Sequence, residues 1–457
     1  MRMSRRGWML VWAPCLIAIL ALSVSPPATG QGKREVVIRA AVRADASGPD
    51  RAVNLQRAVD RLNPKLSDVT IKLQLEEPPS SGWAEETTRL FRSFAAGEGP
   101  DIYAIAHEFI GMFAKAGHAL ILDEMIKQYP QTYNDFYPSQ WTSVKHRGRI
   151  YGIPQDTEAR MIYFRIDRLQ QLGWSDAQIK ALPDRVAKGD FTLTDLAELA
   201  QQVKDKGLVD WGFFHRPNRG PDYYQLVMAF GGRLQDERSG KLVLDRSATL
   251  DFYRFLHDNV YKYKITPSGM TNIPWRSILG PFSAEGKVQF IMGGIWQSGE
   301  FIRDYGVTKD PVEFFKKIDW TLIPAGRKGG KPVTMSHPII YVVNARSKEK
   351  DLAFRIVTEA SSGELNAIHA VNSYHLAIRK AVTQAPAYKN HFWLNRATPL
   401  LEHAAFIPNH EDFGRYDQII FEGLQAVETN RLTPEAALQF VEQQMRSQIG
   451  AQLMVVE

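Results

Sequence analysis

Between residues 34 and 106 the spacing of apolar positions changes repeatedly, and each change marks an element. "REVVIRAAV" is a β-rich run at 34–42, whereas "DRAVNLQRAVDRLNP" sets Val53, Leu55, Ala58, Val59 and Leu62 at helical intervals. "VTIKLQL" then alternates, with Val69, Ile71, Leu73 and Leu75 on one side, as a half-buried strand does. "WAEETTRLFRSFAAGEG" predicts an amphipathic helix stopped by Gly97 and Gly99, and Pro100-Asp101 leads into the apolar strand "IYAIA". This β-α-β-α-β order implies a mainly parallel sheet covered on both faces. Ligands of such sheets collect outside the carboxyl ends of the strands, which directs attention to "RADASGPD" and "HEFIG".

The pattern restarts near residue 150. "GIPQDTEARMIYFRIDRLQQLG" carries a strand into a helix, "FTLTDLAELAQQVKDKG" is a helix capped by Thr192 or Thr194, and "WGFF" is a short strand. A second α/β lobe follows from this. Neither an internal repeat nor a Ser/Gly or Pro linker separates the halves, so the chain is expected to cross between them more than once. From residue 397 the pattern is helical, with Thr433-Pro434-Glu435 opening a capped helix, and no closing strand is expected.

A chain of 457 residues, 44% hydrophobic and 23% charged, supports two domains with proper cores. Its first 30 residues join a basic start, an apolar stretch and a small-residue exit at Ala28-Thr29-Gly30, the layout of a cleavable secretory signal with the cut before Gln31. Arg5-Arg6 leave twin-arginine and Sec export both open. The lone cysteine, Cys15, lies inside the apolar run rather than closing it, so no lipid anchor is expected. The mature chain would then hold no disulfide and must rely on its core. Loss of Arg2, Arg5 and Arg6, with no acid, lowers the formal charge from +6 to +3. Without a Lys/Arg-rich tract interleaved with aromatics, a nucleic-acid partner is not indicated.

Catalytic and metal signatures are equally sparse. There is no Gly-x-Ser-x-Gly, "GRKGGKP" lacks the Ser/Thr of a phosphate-binding loop, and His107-Glu108 is followed by Gly111 where a zinc protease needs histidine. No Asp-x-Asp-x-Asp-Gly calcium loop occurs, so neither a metal nor a cofactor is expected.

Five blocks nevertheless form a family pattern. "GEGPDIYAIAHEFIGMFAKAGHALILDEMI", "YGIPQDTEARMIYFRIDRLQQLG", "FGGRLQDERSGKLVLDRSATLDFYRFLHD", "FSAEGKVQFIMGGIWQ" and "YVVNARSKEKDLAFRIVTEASSGELNAIHAVNSYHLAIRKA" stand in the order seen in extracellular solute-binding proteins of ABC importers. The chain resembles their maltose-binding-protein-like group over nearly all of residues 35 to 450, although Arg165-Ile166-Asp167 stands where Asn-Lys-Asp is usual. The resemblance implies a two-lobed α/β periplasmic-binding-protein fold, each lobe a mainly parallel sheet flanked by helices, joined by a multi-crossing hinge. It places residues 31–156 plus 338–362 in the N-terminal lobe and 157–337 plus 363–457 in the C-terminal lobe. It also implies a monomer in the periplasm or outside the cell, delivering a carbohydrate to ABC permease subunits.

Candidate ligand contacts follow from both sources. Trp296, just past Gly293-Gly294, could lie flat on the C–H face of a sugar, with Gln297 beside it and the glycines letting the backbone approach; a core anchor is the other reading. By the resemblance Glu108 matches an acidic acceptor of sugar hydroxyls, His107 being its neighbour. Glu158 and Arg160 fall on the crossing strand, Arg43 and Asp45 in the first strand-end loop, and Arg219, Asp222 and Tyr223 in "FHRPNRGPDYY". Ser336, His337, Asn372, Phe413 and Arg415 complete the set. Arg43, Arg160, Arg219 and Arg415 also suit an anion, so a sugar phosphate, sugar acid or glycerophosphodiester stands beside a neutral sugar, unless Arg–Asp bridges use these cations instead. A secreted glycosidase built on Glu108 and Glu158 is the enzymatic alternative.

Overall fold

The computed structural model describes residues 33–43, 50–77 and 83–457; the expected signal segment with Cys15, and Asp45, lie outside the described residues. Two sheets organise the chain. Their strands, in chain order, are β1 (Arg34–Ala41), β2 (Val69–Glu76), β3 (Ile102–Ala106), β4 (Ile153–Pro154), β5 (Arg160–Arg165), β6 (Trp211–Phe214), β7 (Val288–Gly294), β8 (Ile318–Thr321) and β9 (Ile339–Val343). The first sheet runs β2-β1-β3-β9-β4 and the second β8-β5-β7-β6.

Most strands of each sheet share one direction, and each sheet holds one reversed strand. In the first it is β9, antiparallel to β3 and β4; in the second it is β5, antiparallel to β7 and β8. Both follow a crossing from the other lobe, β5 after residues 155–159 and β9 after 336–338. A chain that comes in from the interlobe side must run against strands that end there. The crossings lie side by side: Gln155 N donates to Ile339 O (2.9 Å), Leu376 N donates to Thr157 O (2.7 Å), and the hydroxyls of Thr157 and Ser336 are bonded. The helix Gly363–Ser373 and the segment behind it are shared between cores, Leu365 and Ile378 going to the first lobe and Ala370 and Leu376 to the second.

Local sequence explains these elements. In β5 alternate side chains enter opposite cores: Ile162 and Phe164 join Phe213, Phe290 and Met292, while Met161 and Tyr163 join Phe214, Ile291 and Phe301. A sheet covered on both faces therefore shows an unbroken apolar run instead of alternation. Asp101, at the head of β3, accepts from Arg39 N (2.9 Å) and Ser347 Oγ (2.6 Å), which fixes that strand beside β1. Thr192, not Thr194, caps the helix Leu193–Asp205 in a reciprocal box with Asp195.

One expectation is overturned. The chain ends in a strand, Leu453–Val456, which pairs in parallel with Leu242–Asp245. Four consecutive apolar or β-branched residues carry no period, and the partner strand lies far upstream, so local spacing gave no sign of the pairing. Among the described residues no helix is long and apolar enough to cross a membrane.

Candidate functional site between the lobes

Both sheets aim the carboxyl ends of strands at one belt of polar residues. β1 leads to Arg43, β3 to His107 and Glu108, β6 to Arg216 and on to Asp222, and β7 to Trp296. The crossings add Asp156, Glu158 and His337, all buried. Such a position is where α/β sheets hold ligands.

The belt is a connected network. Arg160 donates from Nη2 to Glu158 (2.5 Å) and from Nη1 to Asp222 (2.8 Å), and Arg216 Nη1 reaches Asp222 at 3.2 Å. His337 places Nε2 at 2.8 Å from Glu108 and Nδ1 at 3.9 Å from Glu158, so one imidazole stands between the two carboxyls. Asp156 holds Arg51 (2.8 Å) and His369 (2.9 Å), and Arg51 Nη2 lies 3.3 Å from His375 Nε2. At the rim His107 bonds Asn409 through Nδ1 (2.8 Å). Glu411 takes Lys115 (3.0 Å) and Arg147 (3.1 Å), and Gly111 leaves room for Asn409, whose carbonyl a Cβ there would meet at 2.7 Å.

Burial and charge divide the acids into two groups. Burial alone would raise every one of them, but Arg51 and the adjacent histidines hold Asp156 well below the usual carboxylate range, and Arg160 with Arg216 hold Asp222 down. Burial wins at Glu108, which is raised, and at Glu158, which is pushed up to about 7 against Arg160 with help from Asp156 and Asp222. Burial and the nearby guanidiniums keep His337 neutral, well below its ordinary value, and burial brings His375 down to about 3. The Glu108–His337 contact is thus a hydrogen bond of a neutral imidazole.

Trp296 is half-buried, its ring parallel to His375 (11°, centroids 6.0 Å apart) with the Arg160 guanidinium 4.9 Å from its centroid. The glycines before it serve a different purpose from the one expected. A Cβ on Gly294 would meet the Trp296 ring at 1.8 Å, and one on Gly293 would meet Gln297 Oε1 at 1.5 Å. They make room for these two side chains to fold back, rather than for a ligand. Gln297 is fully buried, with Oε1 accepting from Gly294 N (2.8 Å), so it closes the corner, while its Nε2 is buried without a partner.

Other expected residues also find different places. Tyr223 is buried against Phe252 and Phe421 and donates to Arg216 O, which fixes the loop instead of reaching a ligand. Ser336 is buried and bonded to Thr157, pinning crossings together. Phe413 packs in the core on Tyr224 and Tyr416, and Arg415 is exposed, donating to Gln448 O (2.9 Å). Asn372 is exposed and donates to Asp50 (3.2 Å). Arg219 lies at the belt's edge on Asp417 (3.2 Å). Sequence reasoning missed Arg51, Asp156, His375, Arg216, Trp83 and Trp275; the last two lie under Arg43 (3.8 Å) and Arg216 (5.1 Å).

Glu300, one turn beyond Trp296, is a buried acid with Oε2 unpartnered. Burial pushes it from 4.5 up to about 7, against Arg303, Arg276 and Arg216 and with Asp304. A carboxyl raised on folding binds its proton more tightly in the folded chain, so its contribution is present below about pH 4.5 and is lost as pH rises through about 7. Glu300→Gln should therefore raise the unfolding free energy at pH 8 by up to about 3 kcal/mol, and leave it nearly unchanged at pH 4.5. Urea titrations at the two pH values check this.

Comparison with known proteins gives one direction throughout. Residues 49–364 match the family described as "Bacterial extracellular solute-binding protein". The maltotriose-binding protein of Pyrococcus abyssi is 26% identical over 215 residues, 46% of this chain and 41% of that protein, so the match spans less than half of that relative's length. The maltodextrin-binding protein MdxE of Bacillus subtilis is 22% identical over 68% of this chain and 69% of its own. Among solved structures, maltose-bound MalE3 of T. maritima superposes with a TM-score of 0.73 at 22% identity, covering 90% of this chain and all of that one. The sugar-binding protein MalE of Xanthomonas citri gives 0.70 at 18% identity, covering 90% of this chain and 97% of its own.

Proposed function

The chain belongs to the bacterial extracellular solute-binding protein family, and we propose that it captures a saccharide between its lobes and delivers it to the membrane subunits of an ABC importer. The observation that carries this reading is the belt itself: a half-buried indole beside carboxyls and guanidiniums that come from both lobes and from the crossings. Sugars need that combination. Their C–H faces favour an aromatic plate, and their hydroxyls donate to carboxylates and accept from guanidiniums. Names of relatives that bind maltotriose, maltodextrin and maltose support the ligand class. In this reading Trp296, Glu108, Glu158, Arg160, Asp222 and His337 form the contact surface, and residues 155–159 and 336–338 act as the hinge.

Transport signalling would then be a population shift. The ligand favours the closed arrangement because only there do both lobes touch it, and Glu411 meeting Lys115 and Arg147 marks that state. A glycosidase reading is less well supported, because His337 fills the space between Glu108 and Glu158 where a glycosidic bond would have to sit. A thermal-shift screen of maltose, maltotriose, other neutral oligosaccharides and sugar acids tests the proposal, since a ligand of the folded state raises the melting temperature by mass action. A rise with at least one saccharide, with no product after prolonged incubation, is expected. No rise with any of them, or release of shorter sugars, would overturn it.

A further inference from the structure

Beyond the belt the two lobes meet again at one short segment. Residues 409–411 lead into the helix Phe413–Glu428, and Ile407 and Phe413 on either side of them belong to a core of the second lobe. The segment rests on the first lobe, against the helix Ile110–Lys115 and residues 142–147, whose Ile110, Phe113 and Val144 belong to that lobe's core. Asn409 donates from Nδ2 to Thr142 O (3.1 Å) and Lys145 O (3.0 Å), which fixes the donor end of its amide. Its Oδ1 therefore accepts from His107 Nδ1 (2.8 Å), and its carbonyl accepts from His146 Nδ1 (3.1 Å). Glu411 completes the contact with Lys115 (3.0 Å) and Arg147 (3.1 Å), and His146 Nε2 lies 3.6 Å away.

Three features mark this as a built contact. Among the described residues, each side-chain hydrogen bond of Asn409 and Glu411 goes to the other lobe, so neither side chain serves the fold of its own. Gly111 forms a notch for the segment, since a Cβ there would meet Asn409 O at 2.7 Å and Glu411 N at 3.2 Å. Arg147 and Gly148 make the two-residue turn of a hairpin that pairs Lys145 with Ile150, and Arg147 takes a left-handed backbone (φ 48°) where Asn or Gly is usual. The side chains of Lys115 and Arg147 are 64% and 74% exposed, so their ion pairs are weak, and the three bonds of the Asn409 amide are the main hold.

We infer that residues 409–411 are a latch that seats in the Gly111 notch when the lobes close, and that this latch sets ligand affinity without touching the ligand. The inference rests on the closing motion proposed above and deepens it. Binding that requires closure loses affinity in proportion to the closed fraction the chain can reach. A weakened latch therefore costs every ligand the same factor, whereas a residue that touches ligand costs different ligands different factors.

Zero-length cross-linking tests the latch on the mature chain alone. A carbodiimide activates the Glu411 carboxyl, the Lys115 amine displaces the urea, and an amide bond forms, a step that needs the two groups in contact. Mass spectrometry should find the linked peptides, and Asn409→Ala should lower their yield at least fivefold. Gly111→Ala, which presses a Cβ on Asn409 O, should do the same; if Asn409→Ala fails to fold, this variant on the other lobe carries the test. No linked peptide, or equal yields in wild type and variants, would overturn the latch whatever the chain binds. Calorimetry with maltose, maltotriose, cellotriose and trigalacturonate is the second arm. Each variant should weaken every saccharide that binds by one common factor of at least five. Unequal factors would make Asn409 a ligand contact and overturn the inference while the saccharide reading stands. Binding of none of the four by the wild type would overturn the saccharide reading, and the cross-link yields would still decide the latch.

Discussion

Arg160→Met should lower the unfolding free energy by about 3–5 kcal/mol, the cost of leaving buried carboxylates without their cation. Arg160 is 2% exposed and touches Glu158, Asp222 and the Trp296 ring, so its removal strands two acids at once. Glu158 can escape by taking a proton, because its carboxyl is already raised to about 7. Asp222 cannot do so easily, and would lean on Arg216 alone. Most of the loss should therefore be recovered by adding Asp222→Asn to Arg160→Met, while Glu158→Gln added instead should recover less. Urea midpoints at pH 7 of the single and double variants measure this coupling. Equal stabilities of wild type and Arg160→Met would show that the network contributes nothing to holding the lobes.

Trp296→Ala is expected to separate binding from stability. Losing an aromatic plate under a sugar ring should weaken binding by more than tenfold, which is about 1.4 kcal/mol or more. The ring is half-buried, folded back over Gly294 with His375 and Arg160 beside it, so unfolding should become easier by about 1–2 kcal/mol, against the 3–5 typical of a fully buried tryptophan. Calorimetry with the best saccharide of the screen, paired with urea denaturation, gives both numbers. Unchanged affinity would remove the indole from the site, and a loss of 3–5 kcal/mol would reassign it to the core.

The two variants probe features that the sequence revealed unequally. Residues whose position follows from a strand end were legible: Glu108 after β3, Arg160 at the start of β5 and Trp296 after β7 all lie where the periodicity stops. Residues whose role depends on a helix face were not. Arg51 sits in "DRAVNLQRAVDRL", where the amphipathic pattern assigns a polar residue to solvent, yet it is 4% exposed because the crossing delivers Asp156 to that face. Arg415 is the reverse case, one position from the buried Tyr416 and turned outward by the helix repeat. His375 left no such sign: it follows Tyr374, which ends the helix in the left-handed region at φ 55° where a glycine is usual, so no residue type in the sequence marks the turn that sends the next side chain toward Arg51.

The glycine corner shows a related limit. A Gly-Gly pair before a tryptophan marks close approach, but the sequence does not say of what; here it is the chain's own Trp296 and Gln297. The closing strand Leu453–Val456 was hidden for a simpler reason, since strand pairing is a property of two segments and only one was in view.

The most direct measurement is a crystal structure of the mature chain soaked or grown with whichever saccharide gives the largest melting shift. Electron density for a sugar ring lying against Trp296, with oxygens within hydrogen-bond distance of Glu158, Arg160 or Asp222, is the predicted result. Density only on the outer face of the first lobe, such as the groove lined by Arg34, Asp101 and Arg346, with the belt between the lobes unchanged, would contradict the account.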